Sequence, residues 1–109
     1  MKLLTTAIRK ALPKLYTTEE TPTESKVCHL KLFFPAGRFT FYCVEGEQDG
    51  DDFRMFGYTK SALGADCDEW GYASLNELQS IRGPLGLKIE RDLSWRPTLM
   101  GEVLTGRKS

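Results

Sequence analysis

The sequence lacks a second histidine, a closely spaced pair of cysteines and any long apolar run. Each absence removes a class of protein. Cys28, Cys43 and Cys67 form no Cys-x-x-Cys motif, so neither zinc-ligand spacing nor a disulfide framework is present. His29 stands alone, and its neighbour Cys28 points to the other side of an extended chain, which argues against the two as a dyad. No segment nears the roughly 20 apolar residues that span a bilayer, and no apolar leader follows Lys2. A cytoplasmic, reducing setting without membrane contact is expected. Net charge is missing too, since 15 Lys and Arg offset 15 Asp and Glu. Nucleic-acid binding normally needs a basic excess, so such a partner is not expected. Gly83-Pro84-Leu85-Gly86 has no following Lys-Ser or Lys-Thr and comes after a helix, so it is no phosphate loop. No cofactor and no metal are expected.

What is present fits one α+β domain over residues 1–109, with residues 1–3 and about 101–109 expected to be flexible. The composition, 40% hydrophobic and 28% charged, is that of an ordinary globular chain rather than a disordered one. The charge is segregated. Residues 41–76 hold eight acidic and two basic groups, a balance of −6, between segments of +4 and +2. Glu45, Glu47, Asp49, Asp51, Asp52, Asp66, Asp68 and Glu69 are thus expected to form an acidic surface. A calcium loop is excluded, because the sixth and twelfth positions from Asp49 are Arg54 and Lys60 instead of Gly and Glu.

Leu4, Ala7, Ile8, Ala11 and Leu12 recur at helical spacing, with Thr5 or Thr6 as cap and Pro13 as stop. Lys26 to Phe34 and Arg38 to Val44 read as strands joined by Pro35-Ala36-Gly37. Cys28, Leu30, Leu32 and Phe34 share the core face, and Phe39, Phe41 and Cys43 share a face of the partner strand. Asp49-Gly50 marks a tight turn into a third strand, Asp52 to Thr59, and Ser61 to Asp68 reads as loop. Ser74-Leu75-Asn76-Glu77 is a capping box that opens a helix near 75–82. Gly83 is expected to end that helix in the left-handed conformation, ahead of Pro84. Leu87, Ile89 and Leu93 follow as a half-buried strand, and the chain from Gly101 reads as loop. The expected fold is α+β: a small antiparallel sheet, a meander of three or more strands, packed with two helices.

In the strand after Pro84, Glu90 and Asp92 fall on one side, the minimum for paired carboxylates. Arg91 falls on the other with Ile89 and Leu93, where it needs an anionic partner such as Glu77 or Glu45. Glu90, Arg91, Asp92 and Arg82 are therefore the candidate binding residues. A metal-dependent hydrolase or nuclease using Glu90 and Asp92 is the enzyme alternative. A nucleic-acid module would need Arg82, Lys88, Arg91 and Arg96 on one face. Phe33, Phe39, Phe41, Tyr42, Phe53, Phe56 and Tyr58 lack the basic neighbours of a base-stacking platform and are assigned to core and partner contact.

The run from Arg82 to Leu93, with Glu69-Trp70-Gly71-Tyr72, Ser74 to Leu78 and the opening Leu12-Pro13 and Leu15-Tyr16, resembles the family called domain of unknown function 2958. The resemblance covers nearly the whole chain and is most specific from Trp70 to Leu93. It implies a small bacterial protein carried on plasmids, integrative elements or phages, with no catalytic residue to carry over. The role it implies is accessory: maintenance, transfer or protection from host defences. A non-enzymatic domain that binds another protein is the expected function.

Overall fold

The computed structural model describes residues 2–35, 37, 39–61 and 68–106. Helix α1, Thr6–Ala11, begins where the Thr5 hydroxyl accepts from the Ile8 amide at 3.1 Å. Two short strands follow, β1 (Val27–Cys28) and β2 (Leu30–Phe33), then the long pair β3 (Phe39–Asp49) and β4 (Asp52–Ser61). The turn between the long strands places Gly50 at φ 59°, as Asp-Gly chemistry requires. Strand β5 (Glu69–Ser74) leads directly into α2 (Leu75–Ser80), β6 is Glu90–Arg91, β7 is Thr98–Leu99, and α3 is Met100–Leu104. The main sheet is antiparallel with the order β5-β4-β3-β2-β6, and β1 pairs with β7 in a small second sheet.

Both faces of the main sheet are covered. On one, Leu30, Leu32, Phe34, Phe41, Cys43, Phe53 and Met55 pack with Leu3, Leu4, Leu12, Leu75 and Ile89. On the other, Cys28, Tyr42 and Val44 pack with Met100 and Val103, flanked by Phe56, Tyr58, Trp70 and Trp95. The hinge between the two is a bulge in β3. Cys43 faces Gly57 but Glu45 faces Phe56, so Val44 is an extra residue. The added residue restarts the alternation, so Tyr42 and Glu45 share the outer face although their separation is odd.

Four expectations are corrected. Gly83 is extended, φ −106° and ψ −167°, and α2 ends at Ser80 with Ile81 as its cap; Gly83 is required because a Cβ there would overlap the Phe34 ring. Glu69 to Ser74, where no strand is expected, forms β5. The chain from Gly101, expected as loop, continues α3, which carries Met100 and Val103 into the second core. The strand after Pro84 is only two residues long, and Leu93 is 66% exposed. Asp92 ends it by forming a turn, its carboxylate accepting from the Ser94 amide at 2.9 Å and its carbonyl from the Trp95 amide at 3.2 Å. Most of the loop expected at Ser61–Asp68 lies outside the described residues.

Candidate functional site

Three of the four candidate binding residues come together. Glu90, Arg91 and Asp92 line a cleft of about 590 Å³ with Lys31, Phe33 and Leu93. Arg82 does not line it; its guanidinium donates to the carbonyls of Gln79 (2.7 Å) and Ile81 (3.0 Å) at the end of α2. Arg91 has a backbone acceptor. Its Nε donates to the Lys2 carbonyl at 3.0 Å, tying β6 to the N-terminal segment. Asp92 pairs with Lys31 at 3.5 Å, a partly exposed contact worth up to ~1 kcal/mol. Among the described residues, no three of His, Cys, Asp and Glu gather closely enough to hold a metal ion. A carboxylate already bonded to Lys31 and to the Ser94 amide is a poor ligand for one.

The described members of the expected acidic surface divide by burial. Glu45 is 3% exposed and belongs to the interior. Its Oε1 accepts from the Tyr16 amide (2.8 Å), and its Oε2 from the Thr18 amide (3.0 Å) and the Thr18 hydroxyl. Tyr16 adopts φ 70°, the left-handed geometry that lets successive amides converge on one anion. Lys26 is buried beside them, its amine donating to the Thr18 carbonyl and hydroxyl. Glu47 accepts from the Leu15 amide at 3.0 Å. Asp52 accepts from the Ser74 hydroxyl (2.5 Å) and the Asn76 amide (3.0 Å), which together hold its carboxyl below the usual range. Asp68 accepts from the Ser61 amide at 2.7 Å. Asp49, Asp51 and Glu69 are exposed, and Asp66 lies outside the described residues. The acids of this region serve mainly as fasteners for backbone.

Nucleophilic chemistry finds no support at the described thiols. Burial pushes the Cys28 thiol up to about 12 and raises Cys43 as well, which suppresses the reactive thiolate. Cys67 is not among the described residues. His29 lies where burial lowers its pKa, and its Nδ1 has no hydrogen-bond partner among the described residues. The folded state therefore holds a proton on His29 less tightly than the unfolded chain does. Stability from this group is present above the ordinary His pKa of about 6.5 and is lost as pH falls through the lowered value. Melting temperature should drop between pH 7.5 and 5.5, and His29→Gln should flatten part of that slope. An unchanged slope in the variant would refute the assignment; the Asp52 contribution lies at lower pH, near the carboxylate range.

A second cleft, of about 340 Å³, opens on the outer face. Tyr16, Phe56, Trp70 and Tyr72 line it, together with Glu19, Lys26 and Glu45. Register explains the grouping: Glu45, Phe56 and Tyr72 form one cross-strand row, and Tyr42, Tyr58 and Trp70 the next. Phe56 stacks on Trp70 with centroids 5.7 Å apart, and meets Tyr72 at 5.1 Å with the planes tilted by 54°. Tyr16 leans over Tyr72 at 6.2 Å. The hydrogen bond with Tyr16, followed by desolvation, raises the Tyr72 hydroxyl. Tyr16 and Tyr72 remain 55% and 47% exposed, unusual for large rings that already touch several neighbours. Phe56 is among the aromatics expected in core and partner contact, whereas Tyr16, Trp70 and Tyr72 are not. The Trp70-Gly71-Tyr72 alternation was the available signal.

The fold and these clefts define a small α+β domain built around a five-stranded antiparallel sheet, with an aromatic cleft at one edge. The model of the family described as protein of unknown function (DUF2958) matches residues 3–101, and the chain belongs to that family. Comparison with curated proteins and with solved structures finds no match. Among the described residues no helix is long and apolar enough to cross a membrane.

Proposed function

We propose that this chain is a non-enzymatic accessory protein of a plasmid, phage or integrative element that acts by binding another protein, with counter-defence as one such role. The observation that carries the binding part is the aromatic cleft beside the outer edge of β5. Strand β5 is the last in the sheet order, and among the described residues nothing pairs with its other side. An edge of this kind offers its free amides and carbonyls to an extended peptide, with pockets beside it for alternate side chains. Natural edges are commonly blunted by proline or lysine; Glu69-Trp70-Gly71-Tyr72-Ala73-Ser74 contains neither. Trp70 and Tyr72 project from that edge strand into the cleft, so one segment of partner can engage backbone and rings together.

A random peptide library displayed on phage tests this. Peptides should be enriched on the immobilised chain and lost on a Tyr72→Ala chain, whose exposed ring is dispensable for the core. Equal enrichment on both would remove the cleft from the reading, and no enrichment on either would remove peptide binding altogether.

A further inference from the structure

We infer that two copies of this chain pair by exchanging the Leu85 turn, each turn entering a cleft beside the same turn on the other copy. Leu85 breaks two local rules at once. Its side chain is fully exposed (102%), and its backbone sits at φ 59° and ψ 23°, in the left-handed region. Pro84 and Leu85 are the central residues of a turn closed by the Gly86 amide on the Gly83 carbonyl at 3.1 Å. A positive φ at the second of these positions calls for glycine or asparagine. Leucine there strains the backbone and, being fully exposed, recovers nothing by burial. An outlier of this kind points to a contact made outside the chain. Leu85 is also the apex of a cationic finger: Arg82 and Lys88 are exposed, and no acid lies between Glu77 and Glu90. Such a finger fits an apolar socket with an anionic group at its rim, and the cleft of about 590 Å³ supplies both. Phe33, Phe34, Pro35 and Leu93 give it apolar walls. Among its charged groups, Lys31 is paired with Asp92 and Arg91 is bonded to the Lys2 carbonyl. Glu90 is left with a carboxylate that no described side chain engages, and the Lys88 amine is likewise unengaged among the described residues. Lys88 of one copy and Glu90 of the other are therefore the matching charges. Finger and socket adjoin, because Gly83 at the base of the finger lies against the Phe34 ring that forms one wall. A self-contact whose two halves lie side by side closes on a twofold axis, whereas halves on opposite faces would build a fibre. The contact sits by β6 at one edge of the sheet, so the aromatic cleft by β5 at the other edge stays open on both copies.

Sedimentation equilibrium of the full chain, from about 1 μM to about 1 mM, should fit a monomer–dimer equilibrium. Leu85→Asn separates contact from fold, because asparagine accepts the left-handed geometry and keeps the turn. It should raise the dimer dissociation constant at least about tenfold. Its melting temperature at the lowest concentration should match or exceed that of the parent. Lys88→Glu and Glu90→Lys should each weaken the dimer, and the double variant should recover it, because opposite charges face each other again. A chain that stays monomeric over the whole range overturns the inference. So does a dimer that survives Leu85→Asn, or one that the double charge reversal fails to restore. Peptide enrichment at the β5 cleft should be the same on Leu85→Asn as on the parent, so the binding reading and the dimer stand or fall separately.

Discussion

Replacing Glu45 with alanine should destabilise the protein by about 3–5 kcal/mol, the loss of three buried hydrogen bonds to a charged acceptor at roughly 1.5 kcal/mol each. The carboxylate accepts from the Tyr16 amide and from both the amide and hydroxyl of Thr18. Alanine would leave these donors facing a void, and hydrogen bonds to a charged acceptor are the stronger kind. It would also remove the anion that makes the left-handed conformation of Tyr16 worthwhile. Thr18, which also accepts from the buried Lys26 amine, would lose its anchor. For a domain of this length the melting temperature should fall by roughly 15 °C or more, measured by circular dichroism. Glu45→Gln keeps the shape and one acceptor oxygen, so its loss should be clearly smaller. A Glu45→Ala protein as stable as the parent would show that residues 16–18 are held by something else.

The second large effect belongs to Gly57, which faces Cys43 at the bulge. A Cβ at this position would overlap the Tyr42 carbonyl and press on the Cys43 Cα. Both obstacles are backbone, so no rotamer change relieves them, and β3 and β4 must separate. Gly57→Ala should therefore cost about 3 kcal/mol, the upper part of the range for overpacking, in urea unfolding followed at equilibrium. Gly71 is the control. It pairs with Gly57 from β5, yet a Cβ there meets nothing within 4 Å. Gly71→Ala should change stability by no more than about 0.5 kcal/mol. Similar losses in the two variants would mean that glycine is favoured in this row for a reason other than space.

Local rules were readable in the sequence, and long-range consequences were not. Thr5 caps α1, Asp49-Gly50 turns the long hairpin, and Ser74 caps α2 through the Glu77 amide at 3.2 Å, each decided within four residues. The alternation of Leu30, Leu32 and Phe34 likewise gave three positions of one core, whereas Cys28, expected on the same face, packs in the other core because the strand breaks at His29 and β1 pairs with β7. Glu45 was misplaced because its burial depends on a bulge without a compositional mark and on amides 27 and 29 residues upstream. Helix α3 was missed because five residues with no side-chain cap carry too little periodicity to show. Its stability comes from Met100 and Val103 meeting Cys28, Tyr42 and Val44. The aromatic cleft was missed for the same reason. Tyr16 joins rings from β4 and β5 only after the Glu45 carboxylate has fixed the loop.

The pairing of β1 with β7, and of β2 with β6, bears on how the chain reaches this state. Val27 meets Leu99, Leu32 meets Arg91, and the Met100 amide donates to the Lys26 carbonyl at 2.8 Å. The β3–β4–β5 meander closes through short connections, whereas these contacts bridge most of the molecule and carry the larger loop-closure entropy. Folding thus has a natural order, with the meander as the seed and the C-terminal strands and α3 as the latch. During synthesis the outer core must wait for Met100 and Val103 to emerge, and until then Tyr42, Val44 and the neighbouring rings stand uncovered.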